Sequence, residues 1–507
     1  MQATDRQPQR APVGAPVHYK RRRSEQTTLY RLVQQHAATF FAQAEDAAGA
    51  DLPQFVKDEF DAFLECGILA HGFLRLHCGD CGHDKLVAFS CKRRGFCPSC
   101  GARRMAQTAA HLVDHVIPHM PVRQWVLSLP IPLRLLLAAQ PKLVMPVLQV
   151  VHRMITRHLL GQAGLKPEEA DSGAVTLSHR FGSAANLTIH LHCLVLDGVY
   201  RRGIDGAPEF VEVPEPTDEA LQAVLHKIIT RTMKLLTRRG VLVEEESSTY
   251  MADSDGDSDG DLDEARVLRP LQAAACTYRI AFGPRAGQKV LTVQGAMPRA
   301  GDFKQTLCAD VDGFSLHAAV RSGADDRQAL EQLCRHITRP AVANERVQTN
   351  AAGQMVLRLK TPWRGATTHL VMSPLEFMQR LAALVPRPRL HLIRFHGVLA
   401  PNAKLRALVV PHEVPQSPEP AAPAQEAAPA EREPNCAHHR PVRLSWAKLL
   451  KRVFDLDLEH CPNCGGELRI IAAILERPVI EKILTHLGLQ ARAPPRAPAR
   501  GQALQAA

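Results

Sequence analysis

Long hydrophobic runs are absent from this sequence. No stretch of about eighteen apolar residues occurs in the 507 residues, which excludes a transmembrane helix at the level of sequence. The opening segment, MQATDRQPQRAPVGAPVHYKRRR, contains no apolar h-region, so we expect no secretory signal. We therefore expect a cytoplasmic protein without a membrane partner. In a reducing compartment, its thirteen cysteines indicate metal ligands and buried thiols rather than disulfides.

Aromatic residues are also few, at 5% of the chain, and acidic residues are outnumbered by basic ones. The formal net charge is +11 and the sequence pI is about 9.1. This basic balance favours a polyanionic partner, with nucleic acid as the first choice and a membrane surface as the second. The length exceeds that of a single hydrophobic core, so we expect roughly two to four domains.

Changes in composition predict the domain boundaries. A Pro- and Ala-rich linker is expected at 411–435 and an acidic insert at about 244–265. The run DSDGDSDGDLDEA within that insert lacks the bidentate glutamate of a calcium loop, which favours a disordered linker. The remaining predicted segments are a disordered basic arm at 1–29, a cysteine-containing domain at 30–118, a large domain at 119–410, a small CxxC module at 436–490 and a disordered tail at 491–507.

Two CxxC pairs lie close together in the first of these domains. Cys78 and Cys81 are separated from Cys97 and Cys100 by fifteen residues. Two such knuckles joined by a short loop supply the four soft ligands that zinc requires. The spacing therefore predicts one zinc site made from these four thiols. The alternatives are reduced structural thiols, or a site in which Cys91, which lies between the pairs, replaces one ligand.

Basic residues surround the second of these pairs. They are Lys92, Arg93, Arg94, Arg103 and Arg104. A zinc module that presents cations in this way suits contact with a DNA backbone. The alternative is an ordinary solvated surface.

A third CxxC pair, Cys461 and Cys464, is half of a zinc site. Cys436, His438 and His439 lie upstream of it and are candidates to complete a second site. A predicted helix at 444–454 separates them from the pair, so a C-terminal pair without zinc is the alternative.

Two segments rich in Val, Ile, Leu and Thr, at 174–180 and 187–196, flank a turn-like stretch and predict a β-hairpin. His190 and His192 point to the same face of the second strand. His179 on the first strand is expected to lie beside His190. Three imidazoles could thus bind one divalent ion and leave positions open for substrate. The alternative is three ordinary core or surface histidines.

Several blocks of the sequence resemble one known family. FSCKRRGFCPSCGARRM resembles the N-terminal zinc-binding domain of rolling-circle insertion-sequence transposases, the IS-ninety-one family. The resemblance covers roughly residues 55–490. Further similar blocks follow in the same order: RQWVLSLPIPLR, NLTIHLHCLVLDGVY, GFSLHAAV, LEQLCRHITRPA, SPLEFMQRLAALVPRPRLHLIRFHGVLAPNAKLR and CPNCGG.

The family belongs to the HUH nucleases, and the resemblance implies an α+β fold. We expect a zinc-knuckle, DNA-recognition domain at 30–118, then an antiparallel catalytic sheet flanked by helices at 119–410, and a small helical CxxC module. Zinc is expected to be structural. The resemblance implies that His190 and His192 bind magnesium or manganese, with a third polar ligand from a neighbouring strand, where this sequence has His179.

In this family a tyrosine hydroxyl attacks a DNA phosphodiester and forms a covalent 5′-phosphotyrosine. The resemblance also implies a bacterial protein that is associated with the nucleoid. It would transpose DNA by a rolling-circle-like mechanism, cutting and joining single-stranded transposon ends. The alternative is a catalytically inactive relative that still binds transposon ends.

One departure from the family concerns the nucleophile. The family's tyrosine position corresponds to His336, and Gln332 stands where two-tyrosine relatives have the other one. The family's RYHG block is RFHG here, with Phe395. His336 is thus the candidate catalytic position. It is either a disabled nucleophile, or another tyrosine serves, or the alignment is shifted. The tyrosines of the chain are Tyr19, Tyr30, Tyr200, Tyr250 and Tyr278.

Overall fold

The computed structural model describes residues 23–203, 207–245, 248–251, 259–294, 306–360, 362–363, 366–411, 457 and 459–500. The predicted basic arm before residue 23, the linker after residue 411 and the last seven residues lie outside this range. So do Cys436, His438 and His439.

The described residues form both helices and strands, and their paired strands are antiparallel, as expected for an α+β protein. The helices are α1 Thr28–Ala48, α2 Gln54–Glu65, α3 Pro98–His115, α4 Ile131–Ala139, α5 Val144–Gln162, α6 Asp218–Arg238, α7 Asp259–Cys276, α8 Arg327–Thr338, α9 Pro374–Leu384, α10 Arg406–Val409 and α11 Arg477–His486. The strands are β1 Phe73–Cys78, β2 Asp84–Ala88, β3 Val122–Ser128, β4 Ala170–Asp171, β5 Gly173–Phe181, β6 Leu187–Leu196, β7 Gly198–Arg202, β8 Pro208–Glu212, β9 Leu242–Glu245, β10 Ser248–Met251, β11 Leu291–Gln294, β12 Cys308–Val311, β13 Phe314–Ser322, β14 Val347–Thr349, β15 Met355–Arg358, β16 Thr367–Met372, β17 Ile393–Gly397 and β18 Leu468–Ile474.

The chain divides into two compact units. The first, here called the cysteine unit, contains Met1–Tyr30, Ala62–Cys91 and Arg443–Pro495. The second, here called the sheet unit, contains Arg31–Asp61, Lys92–Val442 and Arg496–Ala507. This division differs from the predicted boundaries, which made the C-terminal CxxC segment a module of its own.

The cysteine unit is built on a three-stranded antiparallel sheet with the order β18-β1-β2. Strand β18 pairs with β1 from Phe73 opposite Ile474 to Cys78 opposite Leu468. Helix α11 contributes Ile480 and Leu484 to a small buried cluster with Phe73. Main-chain pairing between these distant segments explains why the C-terminal module does not stand alone.

The centre of the sheet unit is a six-stranded antiparallel sheet with the order β12-β13-β3-β6-β5-β17. Strands β5 and β6 are buried along almost their whole length. Such nearly continuous apolar strands are typical of a sheet that is covered on both faces. Helices α3 and α8 join strand residues such as Val175 and Leu194 in one core cluster, while α4, α7 and α9 also contact β6. The predicted hairpin is confirmed as β5 and β6.

Three smaller sheets complete the sheet unit. Their strand orders are β11-β16-β15-β14, β4-β7-β8 and β10-β9. Helix α7 begins at Asp259, so residues 259–265 of the predicted disordered insert are helical instead. Among the described residues, no single helix is long and apolar enough to span a membrane. One pair bent by 108°, Ile131–Ala139 with Pro141–Gln162, passes that test by length and composition only.

Gly397, the last residue of the RFHG block, lies where the backbone leaves no room for a side chain. Its φ is +56°, and a Cβ atom there would lie 1.7 Å from the carbonyl oxygen of Ser172. Gly397 also pairs with Gly173 at the end of β5. The glycine therefore lets the edge strand β17 close onto the strand that carries His179.

A buried ion pair joins the central strands. Arg123 on β3 is 1% exposed and Asp197, directly after β6, is 2% exposed. Two guanidinium nitrogens of Arg123 donate to the Asp197 carboxylate at 3.0 and 3.1 Å, and a third contact reaches the carbonyl of Ala318 at 3.0 Å. Arg321 on β13 donates to the same carboxylate at 2.7 Å. One carboxylate thus links β3, β6 and β13.

Removing this carboxylate should destabilise the sheet unit strongly. We expect Asp197→Ala to lower the free energy of unfolding by about 3–5 kcal/mol, because it leaves the buried Arg123 with only the exposed Glu215 as a counter-ion. The measurement is the urea-unfolding midpoint of the full chain. The matched control is Glu209→Gln in the exposed Arg201–Glu209 pair, which should cost at most about 1 kcal/mol. Equal effects of the two substitutions would contradict the assignment.

Candidate metal and nucleic-acid site

The hairpin brings three histidines together. His179 on β5 lies directly opposite His190 on β6, and His192 follows on the same face of β6. The ring centroids are 5.0 Å apart for His179 and His190, 4.8 Å for His179 and His192, and 4.9 Å for His190 and His192. One nitrogen from each ring lies within 4.8 Å of the other two. We call these three residues the histidine triad.

Each ring of the triad uses one nitrogen for a hydrogen bond within the protein. His190 Nδ1 donates to the Thr188 carbonyl at 3.0 Å, and His179 Nε2 donates to the Ile337 carbonyl. These donors leave lone pairs on His190 Nε2 and on His179 Nδ1. The latter atom is buried, and no described residue hydrogen-bonds to it. Metal-binding histidines show this pattern, in which the second nitrogen is held by a carbonyl or carboxylate.

The third ring is held by a neighbouring strand. His192 Nδ1 lies 2.7 Å from the side-chain amide nitrogen Nε2 of Gln124 on β3. With the Gln124 amide flipped, its oxygen accepts a hydrogen bond from His192 Nδ1, and Nε2 of the ring carries the lone pair. Gln124 is 5% exposed. No local sequence motif marks Gln124, because its place beside His192 depends on the pairing of β3 with β6.

Burial keeps the triad neutral. Burial lowers the pKa of His179 to about 3, that of His190 to about 4 and that of His192 to about 2. The positive charge of Arg339 contributes to the lowering in all three rings. At neutral pH the three imidazoles are therefore unprotonated, which is the form that binds a metal ion.

His336 lies at the end of α8, close to the triad. Its Nε2 is 3.0 Å from an Arg339 guanidinium nitrogen, and its Nδ1 is 3.3 Å from the Lys360 ammonium. Burial, followed by the charges of Arg339 and Lys360, lowers the pKa of His336. Its charge also contributes to the lowered pKa of His179 and of His192. His336, the predicted catalytic position, is thus an imidazole that faces two cations.

The described tyrosines have different surroundings. Tyr200 is 4% exposed and packs in the core, and the Tyr30 hydroxyl donates to the Leu64 carbonyl within the cysteine unit. The Tyr278 hydroxyl accepts a hydrogen bond from Asn186 Nδ2 at 3.1 Å, in the turn before β6. Burial raises the pKa of Tyr278. Tyr19 and the side chain of Tyr250 lie outside the described residues.

A cavity of about 310 Å³ opens beside the triad within the sheet unit. Its walls include apolar groups from β5, from the end of α8 and from the segment before β17. Charged residues and histidines in the lining are Arg93, Arg94, Arg104, His179, Arg180, Arg339 and His391.

The structure gives the predicted basic residues unequal roles. Arg94 donates to the Leu390 carbonyl at 2.6 Å, and Arg104 donates to the Lys92 carbonyl at 2.9 Å and to that of Arg93 at 3.2 Å. These two guanidiniums therefore brace loops. Lys92 is exposed, and Arg93 lies 3.6 Å from the Asp58 carboxylate.

Burial lowers the pKa of the fifth predicted basic residue, Arg103, although its side chain is not fully enclosed. The predicted contact of all five residues with DNA stays a prediction.

The cysteine unit contains a four-thiol cluster. Cys78 Sγ lies 3.4 Å from Cys464 Sγ, and Cys81 Sγ lies 3.5 Å from Cys461 Sγ. Each pair sits on a tight turn, closed by the Gly82 N–H to the Cys78 carbonyl and by the Gly465 N–H to the Cys461 carbonyl. Zinc–sulfur bonds of about 2.3 Å place tetrahedral sulfurs about 3.8 Å apart, so the cluster fits one zinc ion.

This cluster corrects the grouping expected from sequence spacing. Cys78 and Cys81 share their cluster with Cys461 and Cys464, whereas Cys97 and Cys100 begin α3 in the sheet unit. The C-terminal pair is completed by the N-terminal pair because β18 pairs with β1. Cys436, His438 and His439 lie outside the described residues, so their predicted part in this site stays a prediction.

Two models of known protein families match segments of the chain. Residues 173–406 match a family model described as "Putative transposase", and residues 32–129 match one described as "Transposase zinc-binding domain". The chain is an IS-ninety-one family transposase. No curated protein matches it, and no solved structure does. The transposase match begins at β5 and includes the triad, so the histidines lie in the transposase domain proper.

Membership in this family makes DNA the partner of the transposase and zinc its structural metal. The zinc-binding match contains Cys66, Cys78, Cys81, Cys91, Cys97 and Cys100 but not the C-terminal pair. With Cys461 and Cys464 the chain holds eight such thiols, which suffice for two zinc ions at four thiols each.

The grouping can be tested by zinc content. We expect about two zinc ions per wild-type chain and the loss of one ion in Cys464→Ser, because Cys464 shares an ion with Cys78 and Cys81. Elemental analysis of purified, reduced protein gives the ratio. Cys308→Ser, which changes a half-buried cysteine in β12 outside these thiols, is the matched control. An unchanged zinc content in Cys464→Ser would disprove the four-thiol cluster.

Proposed function

We propose that this transposase cuts and rejoins single-stranded DNA at the ends of its element by a rolling-circle-like mechanism, using a divalent ion held by the histidine triad. The observation that carries the proposal is the convergence of three neutral imidazoles, each with one nitrogen engaged in the protein and the other available. This arrangement lies in the segment that matches the transposase family.

The donor set favours manganese over magnesium. His179, His190 and His192 offer nitrogen ligands only, whereas magnesium prefers oxygen ligands and keeps several waters. Imidazole nitrogen suits transition metals better. When bound, a divalent ion would polarise the scissile phosphodiester and stabilise the charge that develops on it.

The protein's own groups would position the DNA. The cavity beside His179 has apolar walls on which a base can stack and an arginine-rich lining that suits the backbone. The Ile337 carbonyl, the Thr188 carbonyl and the Gln124 amide fix the orientation of the three rings. Fixed rings hold the reacting phosphodiester in one place with little reorganisation.

The nucleophile has two candidates. His336 stands at the family's tyrosine position, beside the triad, and its attack would form a phosphohistidine. Tyr278 is the alternative, since its hydroxyl lies at the turn that leads into β6. In both cases the bond from phosphorus to the departing 3′ oxygen breaks as the bond to the protein forms, and the product strand ends in a free 3′ hydroxyl.

A covalent-adduct assay tests the proposal. We expect the native transposase, incubated with manganese and a single-stranded oligonucleotide from its element's end, to form a DNA adduct that migrates slowly on a denaturing gel. His190→Ala and His192→Ala should abolish the adduct, because each removes a metal ligand. His226→Ala, an exposed histidine of α6, should leave it unchanged.

Two further variants identify the nucleophile. Loss of the adduct in Tyr278→Phe points to phosphotyrosine, whereas an acid-labile adduct that disappears in His336→Gln points to phosphohistidine. An adduct formed by His336→Tyr but not by the native protein would replace the proposal with that of an inactive DNA-binding relative. Failure of every variant to form an adduct would disprove single-strand cutting at this site.

A further inference from the structure

Four basic side chains from three segments converge at the C-terminal end of α8. His336 and Arg339 come from the end of the helix, Arg346 precedes β14, and Lys360 follows β15. His336 contacts Arg339 at 3.0 Å and Lys360 at 3.3 Å. We call these four residues the α8 cation cluster.

The cluster has no counter-ion among the residues that the structure describes. No described carboxylate pairs with Arg339, Arg346 or Lys360, although Arg335, one turn earlier on α8, pairs with Glu331 at 2.6 Å. Burial, followed by the charges of Arg339 and Arg346, lowers the pKa of Lys360. Burial, followed by the charge of Arg339, lowers that of Arg346. The cations therefore repel one another across a short distance.

Structural roles account for only part of this arrangement. The partial negative charge at the C-terminal end of a helix attracts a cation, which explains a residue such as Arg339. Arg346 donates to the carbonyls of Arg358 and Ser183, so it also braces two loops. Lys360 is exposed, and its one described hydrogen-bonding contact is with His336. Neither α8 nor the loops near it require the Lys360 ammonium at this place. A bound anion would require such a positive charge.

We propose that the α8 cation cluster is a phosphate-binding site that holds the sugar–phosphate backbone of single-stranded DNA beside the histidine triad. The inference rests on the proposed function for the nature of the strand. An arginine fork and a lysine ammonium are common partners of phosphate oxygens. His336, between Arg339 and Lys360, would then lie beside the bound strand, where its proposed attack on a phosphodiester also requires it.

Nearness to the triad supports this assignment. The charge of Arg339 contributes to the lowered pKa of all three triad imidazoles, and the charge of His336 to that of two of them. Arg339 also lines the cavity beside His179. A phosphate on the cluster would therefore neutralise charge next to the place where the triad holds its ion.

Salt-dependent binding tests the inference without requiring cleavage. The probe is a labelled oligodeoxythymidine of about 20 nucleotides, titrated with full-length protein in the absence of added manganese at several salt concentrations. Each phosphate contact on a single strand contributes about 0.7 to the slope of log affinity against log salt. We expect the double variant Arg339→Gln with Lys360→Gln to reduce that slope by about 1.4. Arg346 is left intact because of its loop contacts.

A control variant and a stability measurement accompany the salt titration. Arg231→Gln, an exposed arginine on α6, should leave the slope as in the native protein, and the thermal unfolding midpoints of all variants should agree. An unchanged slope in the folded double variant would overturn the proposal. So would loss of inorganic phosphate binding without any change in DNA binding, because the cluster would then be a free-phosphate site. Native protein that binds this strand through the cluster but never cuts DNA would contradict only the proposed function.

Discussion

The pairing register of β5 and β6 is the constraint on which the candidate site depends. His179 supplies a ligand only because it lies opposite His190, and a slip of one residue would turn its ring to the other face of the sheet. The turn between the strands leaves little room for such a slip. A Cβ at Gly182 would lie 2.5 Å from Asn186 Oδ1, and the Gly182 N–H donates to the Asn186 carbonyl at 3.0 Å.

Two groups of charged residues in the sheet unit differ in whether their charges are paired. The buried guanidinium of Arg123 is matched by the Asp197 and Glu215 carboxylates and by the Ala318 carbonyl, so it joins strands. The cations near His336 lack a matching carboxylate in the described chain, so their mutual repulsion is left for a ligand to relieve. The paired charges thus hold the strands of the scaffold together, and the unpaired charges lie at the surface where DNA is proposed to bind.

The sequence could predict contacts between residues that lie close together along the chain. The alternation of His190 and His192 and the short turn after His179 lie within one hairpin, so period and turn chemistry were sufficient. The union of Cys81 with Cys461 could not be found in this way, because 380 residues separate them and only the β1–β18 pairing joins them. Spacing alone favoured the nearer pair of cysteines. The role of Gln124 was equally hidden, since it depends on which strand lies beside β6.

The central claim is that three histidines of one hairpin share one metal ion. Pulsed electron paramagnetic resonance of the manganese-loaded full-length protein counts the imidazole nitrogens bound to the metal. The account predicts three directly coordinated nitrogens in the wild type and two in His179→Ala, with the structure otherwise retained. Two nitrogens in both proteins would show that His179 is not a ligand, and no nitrogen coupling at all would contradict the histidine triad as a metal site.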